Sequence, residues 1–145
     1  MGSVADPARP DENLAVVRRA LEAFNDAGAD VSTAGDPPPG IYVDEPELVP
    51  LRGALEGTVF TGPTSWKQFW DASREAWTTL RLEEVRMEAV GSGVLSVAKL
   101  SGTSLGTGAE VEARIAFAAH IRGGLIWRNA VHVSEEDARR ELGGE

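Results

Sequence analysis

From residue 80 onward the chain reads as four consecutive strand-like stretches, at 80–90, 94–105, 109–122 and 125–133, each rich in Val, Ile and Leu. Short glycine-bearing breaks separate them: Gly91-Ser92-Gly93, Gly106-Thr107-Gly108 and Gly123-Gly124. Connections this short leave no room for a crossover, so each stretch must turn back beside its predecessor. The spacing predicts an antiparallel meander, whose apolar face has to be covered by helices.

Those helices lie mostly ahead of it. Asp11 can cap a helix in which Leu14, Val17, Leu21 and Phe24 recur at helical spacing, with Arg18, Arg19 and Glu22 between them and Gly28 as the stop. The prolines of GDPPPG at 35–40 cannot continue a helix and lead into a short strand, 41–45, which Pro46 ends. The glycine- and proline-bearing stretch 47–62 is expected to be mostly loop, able to act as a flap. A second helix is predicted over 65–78, opened by Ser65 and Gln68 at the spacing of a capping box and carrying Trp66, Phe69, Trp70 and Trp77 as one aromatic stripe. After the meander, Ser134 and Asp137 can cap a short terminal helix, EEDARREL. Residues 1–10, with Pro7 and Pro10 among small and charged neighbours, read as a disordered lead-in, 11–142 as a single α+β domain and 143–145 as a flexible tail.

Composition closes off several functions. With 145 residues, 42% of them apolar, the chain can build one sizeable core. It has no apolar run long enough to span a bilayer, and its first twelve residues, MGSVADPARPDE, lack the apolar stretch of a secretory signal, so it is expected to have no membrane partner and to stay in the cytoplasm. Cysteine is absent, which removes thiolate chemistry. The formal net charge of −9, spread along the chain, repels phosphate backbones and argues against a nucleic-acid partner. The two histidines, His120 and His132, lack the spacing of a metal motif, and no Ser sits in a nucleophile elbow. The glycine turns lack the Lys-Ser or Lys-Thr of a phosphate loop, so neither a metal nor a cofactor is expected.

Alternation sorts the last two long strands into faces. In 109–122 the odd positions Val111, Ala113, Ile115, Phe117, Ala119 and Ile121 are apolar, and the even ones include Glu110, Glu112, Arg114, His120 and Arg122. The apolar face should meet the helices and the charged face water or a partner subunit. By the same parity the final strand turns Trp127, Asn129, Val131 and Val133 inward and sends Arg128 and His132 outward. A homodimer is expected to pair through the outer face, using Arg114, His120, Arg128 and His132.

The order helix, short strand, helix, four long strands resembles the nuclear transport factor 2-like superfamily, and within it the SnoaL-like branch. The resemblance is carried by LAVVRRALEAFNDAG, the Glu45-Pro46 pair, FTGPTSWKQFWDASREAW and VEARIAFAAHIRGGLIWRNAVHV. It implies a cone: a strongly curved antiparallel sheet wrapped around the N-terminal helices, with an internal pocket. The stretch ADVSTAGDPPPG stands where many members have a second short helix, which reshapes the rim. Members include ketosteroid isomerases, polyketide cyclases, dehydratases, epoxide hydrolases and non-catalytic binding or dimerisation domains.

The resemblance to ketosteroid isomerases places a carboxylate base at Glu45. Their hydrogen-bonding tyrosine corresponds to Ala20 and their second acid to Phe117, while the aspartate of the polyketide cyclases corresponds to Val131. Lys99 shares parity with Leu95 and Val97 and can project into the cavity opposite Glu45, although Ala98 and Leu100 are the alternative inward set. Trp66, Phe69, Trp70, Phe117, Trp127 and Asn129 complete the expected ligand walls. Two readings follow. One is an isomerase, cyclase or hydrolase acting without a cofactor on a small apolar organic molecule, with Glu45 as general base. The other is a non-catalytic ligand-binding or dimerisation module, in which Glu45 caps a loop or pairs with a cation.

Overall fold

The computed structural model describes residues 9–50 and 59–143. Helix α1, Pro10–Gly28, is followed by a 3-10 turn at Val31–Thr33, strand β1 at Tyr42–Val49 and helix α2 at Ser65–Ser73. The meander is β2 at Trp77–Val90, β3 at Gly93–Ser104, β4 at Glu110–Arg122 and β5 at Leu125–His132, and α3 at Glu135–Glu141 closes the chain. The sheet order is β1-β5-β4-β3-β2, antiparallel except that β1 lies parallel to β5. The architecture is α+β with a curved, mostly antiparallel sheet.

Helix α1 starts one residue earlier than Asp11. Pro10 occupies the first turn, where its missing amide proton costs nothing, and Asp11 and Glu12 complement the dipole. Pro10 is therefore structural, while most of the expected lead-in, residues 1–8, lies outside the described residues, as do 144–145 of the expected tail. Val16, Val17 and Ala23 are buried, and Leu14, Ala20, Phe24 and Ala27 pack beside them. The far end of α1 is pinned to the edge strand β2: Asn25 donates to the Leu82 carbonyl at 2.9 Å and accepts from the Leu82 amide at 2.8 Å. Gly28 ends the helix for a second reason. A Cβ there would stand 2.0 Å from the Leu80 carbonyl oxygen, so the approach of α1 to β2 requires glycine.

Three predicted boundaries move. Strand β1 runs through Pro46 to Val49 because it is an edge strand, and its register slips between Tyr42 and Glu47, where the missing amide is tolerated. The expected loop at 47–62 accordingly loses its first residues to β1, Leu48 pairs with Phe60, and residues 51–58 lie outside the described ones. Helix α2 stops at Ser73 instead of 78, and Trp77 begins β2. Its ring lies over Gly102 of β3, where a Cβ would come within 2.8 Å of it, so a vacancy in the sheet draws the tryptophan out of the helix.

The sheet is covered on both sides. On the inner face Val94, Ala119, Ile121 and Ile126 meet Val16, Val17, Trp66 and Trp70. On the outer face Leu95, Ala116 and Ala118 are capped by Ala138 of α3 with Leu142 beside it. Ser134 caps α3 as expected, accepting from the Asp137 amide at 3.1 Å. The outer face around His120, Arg128 and His132 is therefore partly covered by the chain's own terminal helix. No helix among the described residues is long and apolar enough to cross a membrane.

Candidate functional site

The inner ends of α1 and α2 meet in a continuous chain of aromatic rings. Phe60, Phe69, Phe24, Trp70, Trp66 and Tyr42 follow one another with centroids 5.1 to 6.5 Å apart. Trp70 is completely buried and Trp66 nearly so. At the outer end of this chain, where it reaches Tyr42, a half-open pocket of about 210 Å³ remains between the Pro37–Pro39 segment, β1 and the start of α2. Its walls include Pro37, Pro38, Pro39, Pro46 and Pro63 with Leu48, Val43, Tyr42 and Trp66, and its polar members are Asp44 and Ser65.

Each polar group has a traceable position. Thr64 rather than Ser65 occupies the N-cap position of helix α2, with no side-chain bond to a helix amide; the Gln68 side chain donates to the Thr64 hydroxyl at 2.9 Å and to the Thr61 carbonyl at 3.3 Å. Ser65 is left inside the first turn, fully buried, and its hydroxyl has no partner among the described residues. The Trp66 indole donates to the Gly35 carbonyl at 2.7 Å, which fixes the ring and ties the proline segment to α2. Arg74 supports the same segment by donating to the carbonyls of Val31 at 3.0 Å and Ala34 at 2.7 Å. Burial pushes the Tyr42 phenol well above its ordinary range, so it stays a neutral hydroxyl.

The residues expected to form the site separate. Glu45 is exposed on β1, because the register slip at Pro46 turns it out of the cone, so the dry surroundings a general base needs are missing. Lys99 is on the outer face of β3, opposite the side that Ala98 and Leu100 turn to the core, and the inward set was the even one. Its ammonium lies 3.2 Å from Glu83 and 3.8 Å from Glu112, and hydrogen bonding to Glu83, with the charge of Glu112, holds its pKa above the ordinary lysine value. Glu45 and Lys99 thus lie on strands separated by β5 and β4.

Of the expected walls, Trp66 lines the pocket, whereas Phe69 and Trp70 lie deeper in the aromatic chain. Phe117 packs on the inner face with Leu82, Ala98 and Ile115, and Asn129 pairs with Ala119 there. Trp127 is not inward. A register slip between His120 and Ile121 places it beside the outward residues: its ring is 5.3 Å from His120, and the Arg122 guanidinium lies 4.7 Å above it. A bulge has no signature in alternation, so parity could not reveal it. Tyr42 and the proline wall were visible in the sequence only as strand and loop, and the Ser65 hydroxyl as a cap.

A second polar cluster lies beneath α3. Glu141 sits 2.7 Å from His120 Nε2, 2.8 Å from His132 Nε2 and 3.1 Å from Arg128 Nε, and Arg128 also reaches Glu47 of β1 at 2.7 Å. Burial alone would raise the Glu141 pKa, but hydrogen bonds from His120, His132 and Arg128 outweigh it and bring it down to about 2. This network holds α3 to the sheet. Among the described residues there is no group of His, Asp and Glu side chains arranged to hold a metal ion.

No protein-family model matches the chain, and no curated protein matches its sequence. Solved structures do match. A nuclear transport factor 2-like protein of unknown function from Burkholderia pseudomallei is 14% identical with a TM-score of 0.68, covering 90% of this chain and 97% of that one. TerC, co-crystallised with polyporic acid, is 15% identical with a TM-score of 0.67 over 91% and 98% of the two chains. A protein with the ketosteroid isomerase-like fold from Catenulispora acidiphila, in complex with trimethylamine, is 15% identical with a TM-score of 0.65 over 88% and 92%. The chain has the nuclear transport factor 2-like fold of the SnoaL-like and ketosteroid isomerase-like proteins.

Proposed function

We propose that the chain binds a small organic molecule in the pocket between the Pro37–Pro39 segment, β1 and α2, as a non-catalytic module of its fold. The observation that carries this reading is the cavity itself, walled by proline rings, Leu48, Tyr42 and Trp66 where the aromatic chain ends. The volume of about 210 Å³ is below the range of drug-sized sites, roughly 300–1,000 Å³, which favours a ligand of few heavy atoms. Two structural neighbours, solved with polyporic acid and with trimethylamine, support small-molecule binding on this fold.

Catalysis by Glu45 lacks support of this kind, since the carboxylate is exposed and Lys99 is engaged elsewhere. A fragment library followed by amide NMR tests the binding reading. Fragments are expected to shift the amides of Tyr42, Ser65 and Trp66, and Glu45→Gln to leave those shifts unchanged. A library that moves none of the three residues sinks the proposal, and loss of binding in Glu45→Gln would return that carboxylate to the site.

A further inference from the structure

We infer that the part of the ligand that enters this pocket is a single aromatic ring, seated against Tyr42 and the surrounding proline rings as the next member of the aromatic chain. This rests on the pocket being a binding site, and it narrows the guest by chemistry.

Six rings run in sequence from Phe60 to Tyr42, and the pocket opens beside the last of them. Trp66 backs Tyr42 with centroids 5.4 Å and planes 53° apart, and its own orientation is fixed by the indole bond to Gly35. Tyr42 is half-buried and lines the opening, so it presents a ring held from behind. A guest ring within about 4.5–7 Å of it gains attraction between ring quadrupoles, beyond what burial of equal apolar area gives. A saturated ring of the same size gains only the burial.

The proline walls favour the same guest. The carbons next to a proline nitrogen are electron-poor, which lets proline rings pack on aromatic faces; here the protein supplies the prolines and the guest the face. Pro38 and Pro39 are exposed, and the stretch leading to them is held by Arg74 on the Val31 and Ala34 carbonyls and by Trp66 on Gly35, so the wall is in place before a guest arrives. Size agrees. An apolar cavity of about 150 Å³ holds benzene, and about 210 Å³ holds one ring with a short substituent directed to the open side.

The test compares benzyl alcohol with cyclohexylmethanol, which share a six-membered carbon ring and an aliphatic hydroxyl and differ in the ring's π system. Each is titrated into the full chain and followed by the amide NMR signals of Tyr42, Ser65 and Trp66. Benzyl alcohol is expected to bind about threefold to tenfold more tightly, although the saturated alcohol is the more hydrophobic of the two. It should also move the ring protons of Tyr42, the only tyrosine in the chain, by its ring current. Tyr42→Phe should keep the preference and Tyr42→Leu should bring the two alcohols to similar affinity, with a melting curve showing that each variant is folded. Equal affinity in the unaltered chain, or a preference that survives Tyr42→Leu, overturns the aromatic-ring inference and leaves the pocket reading standing. If neither alcohol moves these amides while the fragment library does, the inference alone falls; if the library also fails, both fall.

Discussion

A single side-chain hydroxyl separates two descriptions of Ser65. At the spacing Ser-x-x-Gln it reads as a helix cap, yet Thr64 takes that place and Gln68 turns to Thr64. The sequence contained both candidates, and nothing in spacing alone chooses between adjacent hydroxyls. The same limit applies to Glu45. Its neighbourhood depends on a register slip across Pro46, a three-dimensional event with no local pattern. Truncating the Glu45 side chain should change stability by less than about 0.5 kcal/mol, as for other exposed positions, and a melting curve of Glu45→Ala checks this. A loss above that figure would mean that the carboxylate has a structural partner.

Elements were more legible than their contacts. Four strands, three helices and their order followed from glycine turns and helical spacing, because those signals are local. Trp77 shows where locality fails: helical spacing assigns it to α2, and a glycine on another strand, Gly102, decides otherwise. The junction of α1 with β2 is equally non-local and can be tested. Gly28→Ala must push the Leu80 carbonyl or the helix aside, at a cost of at least about 2 kcal/mol, whereas alanine at an ordinary helix position would stabilise. Asn25→Ala removes two hydrogen bonds and strands the Leu82 amide and carbonyl, a loss of about 2 kcal/mol. Urea denaturation of both variants measures these losses. A neutral Gly28→Ala would show that α1 does not press on β2.

At the scale of the whole molecule, α3 is fastened across the sheet by one carboxylate. Glu141 has a folded pKa of about 2 against an ordinary value of 4.5, so folding stabilises its ionised form. The contribution is complete above the ordinary value and is lost as pH falls from there toward the folded one. The melting temperature of the unaltered chain should therefore exceed that of Glu141→Gln at neutral pH, and the gap should close between pH 4.5 and 2. An unchanged gap across that window would mean the fastening is not ionic. The same network engages His120, Arg128 and His132, and of the four outer-face residues expected to pair with a partner it leaves Arg114 on β4 exposed.

The proline lining has a consequence for selectivity. Five ring-locked residues, Pro37, Pro38, Pro39, Pro46 and Pro63, frame the opening, and their backbones have little torsional slack to surrender when a guest arrives. On the proposed binding reading, such a mouth is expected to act as a gauge of fixed bore, discriminating guests by a single methyl where a pliant loop would stretch to accept it.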